Sequence, residues 1–283
     1  MASTRDIKKR KASIQSTQQI TKAMKLVSTV KLQHARGRAE RSRSYFDCMY
    51  STVQSILEKT KGVRHPYLDG NDSPRKAVMV ITSNRGLAGG YNSNIVKLIT
   101  KGEMPKEELD IYAIGTKGRD ALSRAGYQIR KAYPDLGETP SYTEAMALTE
   151  LLLESYTAGE VGEIYLAYTA FKNTVTHEAR LIRLLPVEPV QEPEKGASAL
   201  MNFEPEETEA LNLLIPKYLS SLIYGGLVES VASENGARMQ AMDSATSNAQ
   251  DMIQDLELLY NRARQGAITT ELTEIIAGAE ALN

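Results

Sequence analysis

The stretch MDSATSNAQDMIQDLELLYNRA, residues 242–263, decides the fold. Met242, Ala245, Ala249, Met252, Leu256, Leu259 and Ala263 recur at steps of three and four, the signature of a helix that buries one seam. The text around it is equally helical. All ten prolines fall between Pro66 and Pro216, so Lys217 to Asn283 runs for 67 residues (283 − 216) without one. A continuous helix of that length reaches roughly 100 Å at about 1.5 Å per residue, several times the width of a small domain. A globular enzyme has no use for such a rod, which makes the rod itself the functional element.

The N-terminal end repeats the pattern. Thr4 or Ser3 can cap a helix that runs through Ile7, Ile14, Met24 and Val27 to about Glu58. Lys61-Gly62 ends it, and the His65-Pro66 step disfavours any continuation. Its apolar stripe is thin, with Thr17, Thr21 and Ser28 near the seam, so it needs a partner helix. The C-terminal rod is the available partner, giving an antiparallel two-helix coiled coil with both chain ends at one tip. The C-terminal rod is the longer, so its last turns extend past the pairing. There Ile268, Leu272, Ile275, Ile276, Ala279 and Leu282 offer apolar side chains among few charges.

Between the rods the period changes. Ala77–Ile81 and Ile111–Ile114 are short apolar runs ended by polar or glycine residues, as buried parallel strands are. Helical text follows each, at Asn92–Thr100 and Lys117–Ala125. A longer helix, Tyr142–Ala158, precedes a strand at Glu163–Thr169, and Ala179–Leu185 pairs with that strand antiparallel. Alternating strands and helices predict a small doubly wound α/β domain. Pro186 to Pro205 reads as an irregular connector. The expected fold class is α+β: a long antiparallel two-helix coiled coil (residues 1–60 and 207–283) plus a Rossmann-like α/β domain over 74–190.

Composition narrows the function. Cys48 is the single cysteine, which excludes an internal disulfide and a cysteine zinc site. The first 30 residues lack the apolar core of a secretory signal. No apolar run approaches the ~20 residues needed to cross a bilayer, so membrane attachment is expected only through other proteins. The net charge of −1 hides an asymmetry. Residues 1–43 carry twelve basic side chains against Asp6 and Glu40, a local balance of +10 (12 − 2). That stripe fits a nucleic-acid partner, an acidic protein ring or a solvated helix face, and charge alone does not choose among them.

Catalytic signals are weak. Ser83-Asn-Arg-Gly-Leu-Ala-Gly-Gly-Tyr-Asn92 follows a strand, where doubly wound folds bind phosphates. Yet GxGxxG is absent, no Lys-Ser/Thr follows the glycines, and no acid ends the next strand; Asp110 begins it. A structural turn or contact loop is the better reading. Ile114-Gly-Thr-Lys-Gly118 is weaker still. His34, His65 and His177 lie in no metal-ligand spacing, and His177 reads as a strand start. No cofactor or metal is expected.

The motifs together are more specific than any one alone. Asp6-Ile-Lys-Lys-Arg10, Gln18-Gln-Ile-Thr-Lys-Ala-Met-Lys-Leu26, Arg85-Gly-Leu-Ala-Gly-Gly-Tyr91, Ala237-Arg-Met-Gln-Ala-Met242, Tyr260-Asn-Arg-Ala-Arg-Gln265 and Ile268-Thr-Thr-Glu-Leu-Thr-Glu-Ile275 resemble the gamma subunit of F-type ATP synthase, over nearly the whole chain. Asn84 and Ala88 stand where that family often carries Asp and Cys, and the chloroplast-type insert with its cysteine pair is missing. The resemblance implies a non-enzymatic central rotor shaft threaded through a ring of three alpha and three beta subunits. It also implies contacts with epsilon and the membrane c-ring, at the cytoplasmic face of a bacterial plasma membrane. It assigns Arg264 and Gln265 to a catch on one beta subunit. Lys9, Lys22, Met24 and Lys25 would face beta, residues 268–282 would form a tip bearing, and Phe203, Glu204, Arg85 and Tyr91 would make foot contacts.

Overall fold

The computed structural model describes residues 4–59, 64–134, 136, 138–187 and 207–280. The chain forms two compact units: Met1–Ser28 with Arg238–Asn283, and Thr29–Ala237. Two helices contribute to both, α1 (Thr4–Lys59) and α6 (Glu207–Glu280). Pro216 lies inside α6, so the helix begins before the proline-free stretch and passes through the residue that bounds it. Pro216 has no N–H to give its helix. The surrounding turn is held by burial of Leu211, Ile215 and Leu219, and the Ser220 hydroxyl donates to the Pro216 carbonyl at 2.9 Å.

One stretch of α6 is long and apolar enough to cross a bilayer by length and composition, which corrects the expectation of none. Of that stretch 56% is buried inside the protein, as in a core helix.

The larger unit is built on a five-stranded sheet in the order β3-β2-β1-β4-β5. β1 (Lys76–Ile81), β2 (Leu109–Ile114), β3 (Gln128–Tyr133) and β4 (Glu163–Phe171) are parallel, and β5 (His177–Leu185) runs antiparallel to β4. The central strands are covered on both faces. Ala77, Met79 and Ile81 pack with α1 residues Val53, Ile56 and Leu57, with α5 (Tyr142–Thr157), and with the start of α6. Val78 and Val80 pack with Ile95 and Ile99 of α3 (Tyr91–Thr100) and Leu122 of α4 (Thr116–Arg124). This is the two-sided winding that near-continuous apolar strands require. At the start of α5, Ser141 and Glu144 form a reciprocal capping box.

β3 is the strand that the apolar runs do not disclose. QIRKAY carries two cations and lies at the sheet edge, half of its residues exposed and the rest half-buried. β4 is longer than its neighbour β1, whose pairing with it ends at Val80 opposite Ala167. The strand therefore continues past β1 with a free edge from Tyr168 to Phe171, and α6 covers that edge.

Candidate functional site

In the smaller unit the two helices meet along a heptad seam. On α1 the buried positions are Ile7, Thr21 and Ser28, with Ile14 half-buried between them, seven residues apart throughout. On α6 they are Met242, Ala249, Ile253 and Leu256. A strict seven-residue repeat fits a left-handed supercoil. Met252 and Leu259, expected in the seam, are each 50% exposed, and Thr17 of α1 is exposed as well. The polar pairs along the seam account for the difference. Lys11 pairs with Glu257 (2.6 Å), Gln18 with Gln250 (2.7 Å) and Lys25 with Asp243 (2.5 Å), and the hydroxyls of Thr21 and Thr246 meet at 2.8 Å. Partner numbers on α6 fall as those on α1 rise, so the helices are antiparallel. Positions 11, 18 and 25 face 257, 250 and 243, both series stepping by seven. This register turns Ile253 and Thr246 inward and leaves Met252 and Leu259 outside.

The pairing ends near the start of α1. Every residue from Arg264 to Gly278 is exposed, Arg264 and Gln265 included. Ile268 (49% exposed), Leu272 (54%), Ile275 (62%) and Ile276 (60%) stand open on this overhang. Ala279 lies in α6, and Leu282 lies outside the described residues. On α1, Lys9 and Lys22 are exposed, while Met24 and Lys25 are half-buried. A second apolar surface on α1, comprising Ile20, Leu26, Val27 and Val30, is also exposed and was not picked out as a contact surface from sequence. Its signal was legible, since Ile20 and Val27 lie one heptad apart and beside the seam positions.

In the larger unit the glycine loop after β1 is braced by its own side chains. The Ser83 hydroxyl donates to the Arg85 carbonyl (2.6 Å), and the Asn92 side-chain oxygen accepts from the Ser83 N–H (2.9 Å). Asn84 donates to the Pro134 carbonyl (2.6 Å) and accepts from the Thr116 N–H (3.0 Å). Gly89 takes φ 54°, a left-handed conformation that glycine adopts without strain, and Leu87, two residues before it, takes φ 61°. The loop presents Leu87 (63% exposed) and the Arg85 guanidinium, which lies 3.6 Å from Glu138. Tyr91 is buried as the first residue of α3. Phe203 and Glu204 lie outside the described residues.

Among the described residues this loop lines no nucleotide-sized pocket. The cavity there, between Thr82–Arg85, Leu136, Glu138 and Glu234, measures 20 Å³, against the ~300 Å³ or more of small-ligand sites. A larger, open depression lies beside Arg119, Asp120, Ser123, Arg124 and Ile129, at the start of β3 rather than at the carboxyl ends of the strands. The crevice at those carboxyl ends, where doubly wound folds take ligands, is instead occupied by α6. Ser230 Oγ accepts from the Thr169 N–H (3.3 Å), Ser233 Oγ donates to the Thr169 carbonyl (3.1 Å) and Glu229 accepts from the Phe171 N–H (3.2 Å). Burial raises the pKa of Glu229, which the Phe171 N–H and Arg180 oppose. Burial lowers that of His177, which begins β5 and stacks with Phe171 at 5.8 Å. His65 caps α2 (Pro66–Asp69) and bonds Asn212 at 3.1 Å. Among the described residues no group of His, Cys, Asp and Glu could hold a metal ion.

A nucleotide crevice closed by its own chain and a helix pair with a bare overhang define a class. The class is that of proteins with two long paired helices and an α/β domain. The family model described as ATP synthase matches residues 3–282. The ATP synthase gamma chain of Lachnoclostridium phytofermentans is 60% identical, covering 100% of each chain. The sodium-ion-specific ATP synthase gamma chain of Acetobacterium woodii is 41% identical over 98% of each. The central stalk/c-ring structure of Tetrahymena thermophila mitochondrial ATP synthase contains a chain with a TM-score of 0.62 and 25% identity, over 80% of this chain and 99% of that one. The chain belongs to the ATP synthase family, among its gamma chains.

Proposed function

We propose that this chain works as the central-stalk rotor of an F-type ATP synthase, carrying torque between the ion-driven c-ring and the catalytic alpha–beta ring. It is a non-catalytic subunit of that complex. The observation that carries the reading is the antiparallel helix pair ending in an exposed overhang, together with relatives described as gamma chains and a central-stalk likeness. A nucleic-acid partner gains no support from the relatives.

The overhang from Ile268 to Ile276, continuing toward Ala279 and Leu282, serves as a bearing inside the alpha–beta ring. Dispersion contacts of short apolar side chains are individually weak and non-directional, so they resist rotation little at any angle. Arg264 and Gln265, exposed just below, form a catch on beta: a guanidinium fork facing a carboxylate is directional and strong. Lys9 and Lys22, with Met24 and Lys25, face acidic segments of beta. Arg85, Phe203 and Glu204 contribute to the surface toward the c-ring and epsilon, with the buried Tyr91 supporting the glycine loop from beneath rather than touching a partner. The complex lies at the cytoplasmic face of a bacterial plasma membrane, and the chain reaches the membrane through partner subunits.

Co-purification tests the reading. The tagged chain is expected to travel with a large ATPase, to hydrolyse no ATP when isolated and to show no salt-dependent retention on DNA. A chain that binds DNA and leaves the ATPase behind would overturn it. For the catch, Arg264→Ala is expected to lower ATP-driven rotation and respiratory growth; unchanged rotation would remove Arg264 from the mechanism.

A further inference from the structure

We infer that Glu229, Ser230 and Ser233 are the torque joint of this protein, the positioning residues that fix α6 in angle and height against the sheet; this rests on the rotor reading above. The starting observation is the mismatch in strand length. β1 stops pairing at Val80, so the main-chain groups of Thr169 and Phe171 lose their strand neighbour. A buried polar group without a partner is costly, and three side chains from little more than one turn of α6 answer all three. Ser230 is 1% exposed and Ser233 fully buried, so water does not compete for their bonds to Thr169, and Glu229 beside them is half-buried.

Apolar packing of a helix on a sheet tolerates sliding, because dispersion has little directional preference. Hydrogen bonds weaken steeply as they misalign. Turning α6 about its axis by one residue, about 100° in a helix of 3.6 residues per turn, would break all three at once. Two glycines flank the set and hold the helix close. A Cβ at Gly226 would come 2.9 Å from Leu166, and one at Gly236 would come 2.7 Å from His177. With close approach on both sides and three directional bonds between, α6 can neither roll nor lift at this point. Torque borne by the sheet therefore enters α6 here. The same residues close the crevice that would otherwise take a nucleotide, so the fold's ligand site has become a mechanical fastening.

The joint is tested in the assembled membrane complex carrying Ser230→Ala with Ser233→Ala, by ions pumped per ATP hydrolysed. The expected result is normal incorporation of the chain, ATP hydrolysis retained, and pumping per ATP reduced at least about two-fold, the lower end of what residues along a coupling network change. Ser230→Thr and Glu229→Gln, which keep the acceptors, should retain coupling, whereas Glu229→Leu should lose it. Unchanged pumping per ATP in the double variant overturns the joint. Should that variant fail to assemble, Glu229→Leu set against Glu229→Gln provides a second reading, and equal pumping per ATP in those two variants overturns the inference. Failure of the wild-type chain to join a rotating ATPase would sink the rotor reading itself, an outcome distinct from either variant result.

Discussion

The two units bury different things. The larger one encloses Met79, Ile95, Ile111, Leu122 and Leu166 almost completely, in layers on both faces of a sheet. The smaller one closes its seam with a single row in which Ile7, Met242, Ile253 and Leu256 are mixed with Ser28, Ala249 and the Thr21–Thr246 hydroxyl pair, flanked by exposed ion pairs. The difference teaches where each property resides. Stability and a fixed reference frame come from the sheet, whereas the helix pair buries a narrow seam, is held in register by polar partners and leaves other apolar residues exposed. Ile20, Val27, Met252 and Leu259 are exposed beside that seam.

Core truncation should separate the units most strongly. Leu166→Ala or Ile95→Ala is expected to destabilise the larger unit by about 2–5 kcal/mol, against less for Ile253→Ala in the seam. Thermal melts and amide exchange resolved by segment measure both. Equal losses would mean that the seam is packed as a core, contrary to this account.

Protonation sharpens the contrast, because the shifted groups at the joint lie in the larger unit. His177 is held neutral, its pKa lowered by burial, so the unfolded chain takes up its proton first. Stability should therefore fall as pH drops below about 6.5, the ordinary histidine value. His177→Phe, which keeps the stacking with Phe171, should reduce that acid loss. Glu229 has the opposite sign, since burial raises its pKa and the folded state holds the proton more tightly. Its ionisation opposes folding as pH rises above the ordinary carboxylate range, so Glu229→Gln should raise the melting temperature at pH 7 and flatten the slope below it. Parallel pH profiles for Glu229→Gln and wild type would contradict the burial of that carboxyl group.

Smaller effects belong to the seam. Thr21→Val with Thr246→Val replaces both hydroxyls and should be nearly neutral in melting temperature. Lys11→Ala should lower stability by ~0.2–1 kcal/mol at low salt and by less in concentrated salt. A larger, salt-insensitive loss would show that the pair is more than a surface contact.

Much of this contrast was legible in the sequence. The proline map located both long helices, apolar runs located β1, β2 and β4, and the alternation after Ala179 identified the antiparallel β5. The seam on α6 was offset by one residue at two positions, because Met252 and Leu259 satisfy the three-four spacing as well as Ile253 and Tyr260 do. Periodicity shows that a stripe exists, and only the partner helix shows which of two adjacent stripes is paired. β3 escaped because an edge strand with Arg130 and Lys131 need not be apolar. Pro216 lies inside α6, because burial on the sheet outweighs a missing helical hydrogen bond, and the helix starts at Glu207, where the expected bounds put it. The closed crevice was beyond sequence reasoning altogether, because Ser230 and Ser233 meet Thr169 across more than 60 residues of chain.

Rotation tests the central claim most directly, and Cys48, exposed on α1 and the single cysteine, offers the attachment point. With the alpha–beta ring fixed to a surface and a bead on Cys48, ATP should drive stepwise, one-directional turning of this chain. Steady ATP hydrolysis with a bead that never turns would contradict the account.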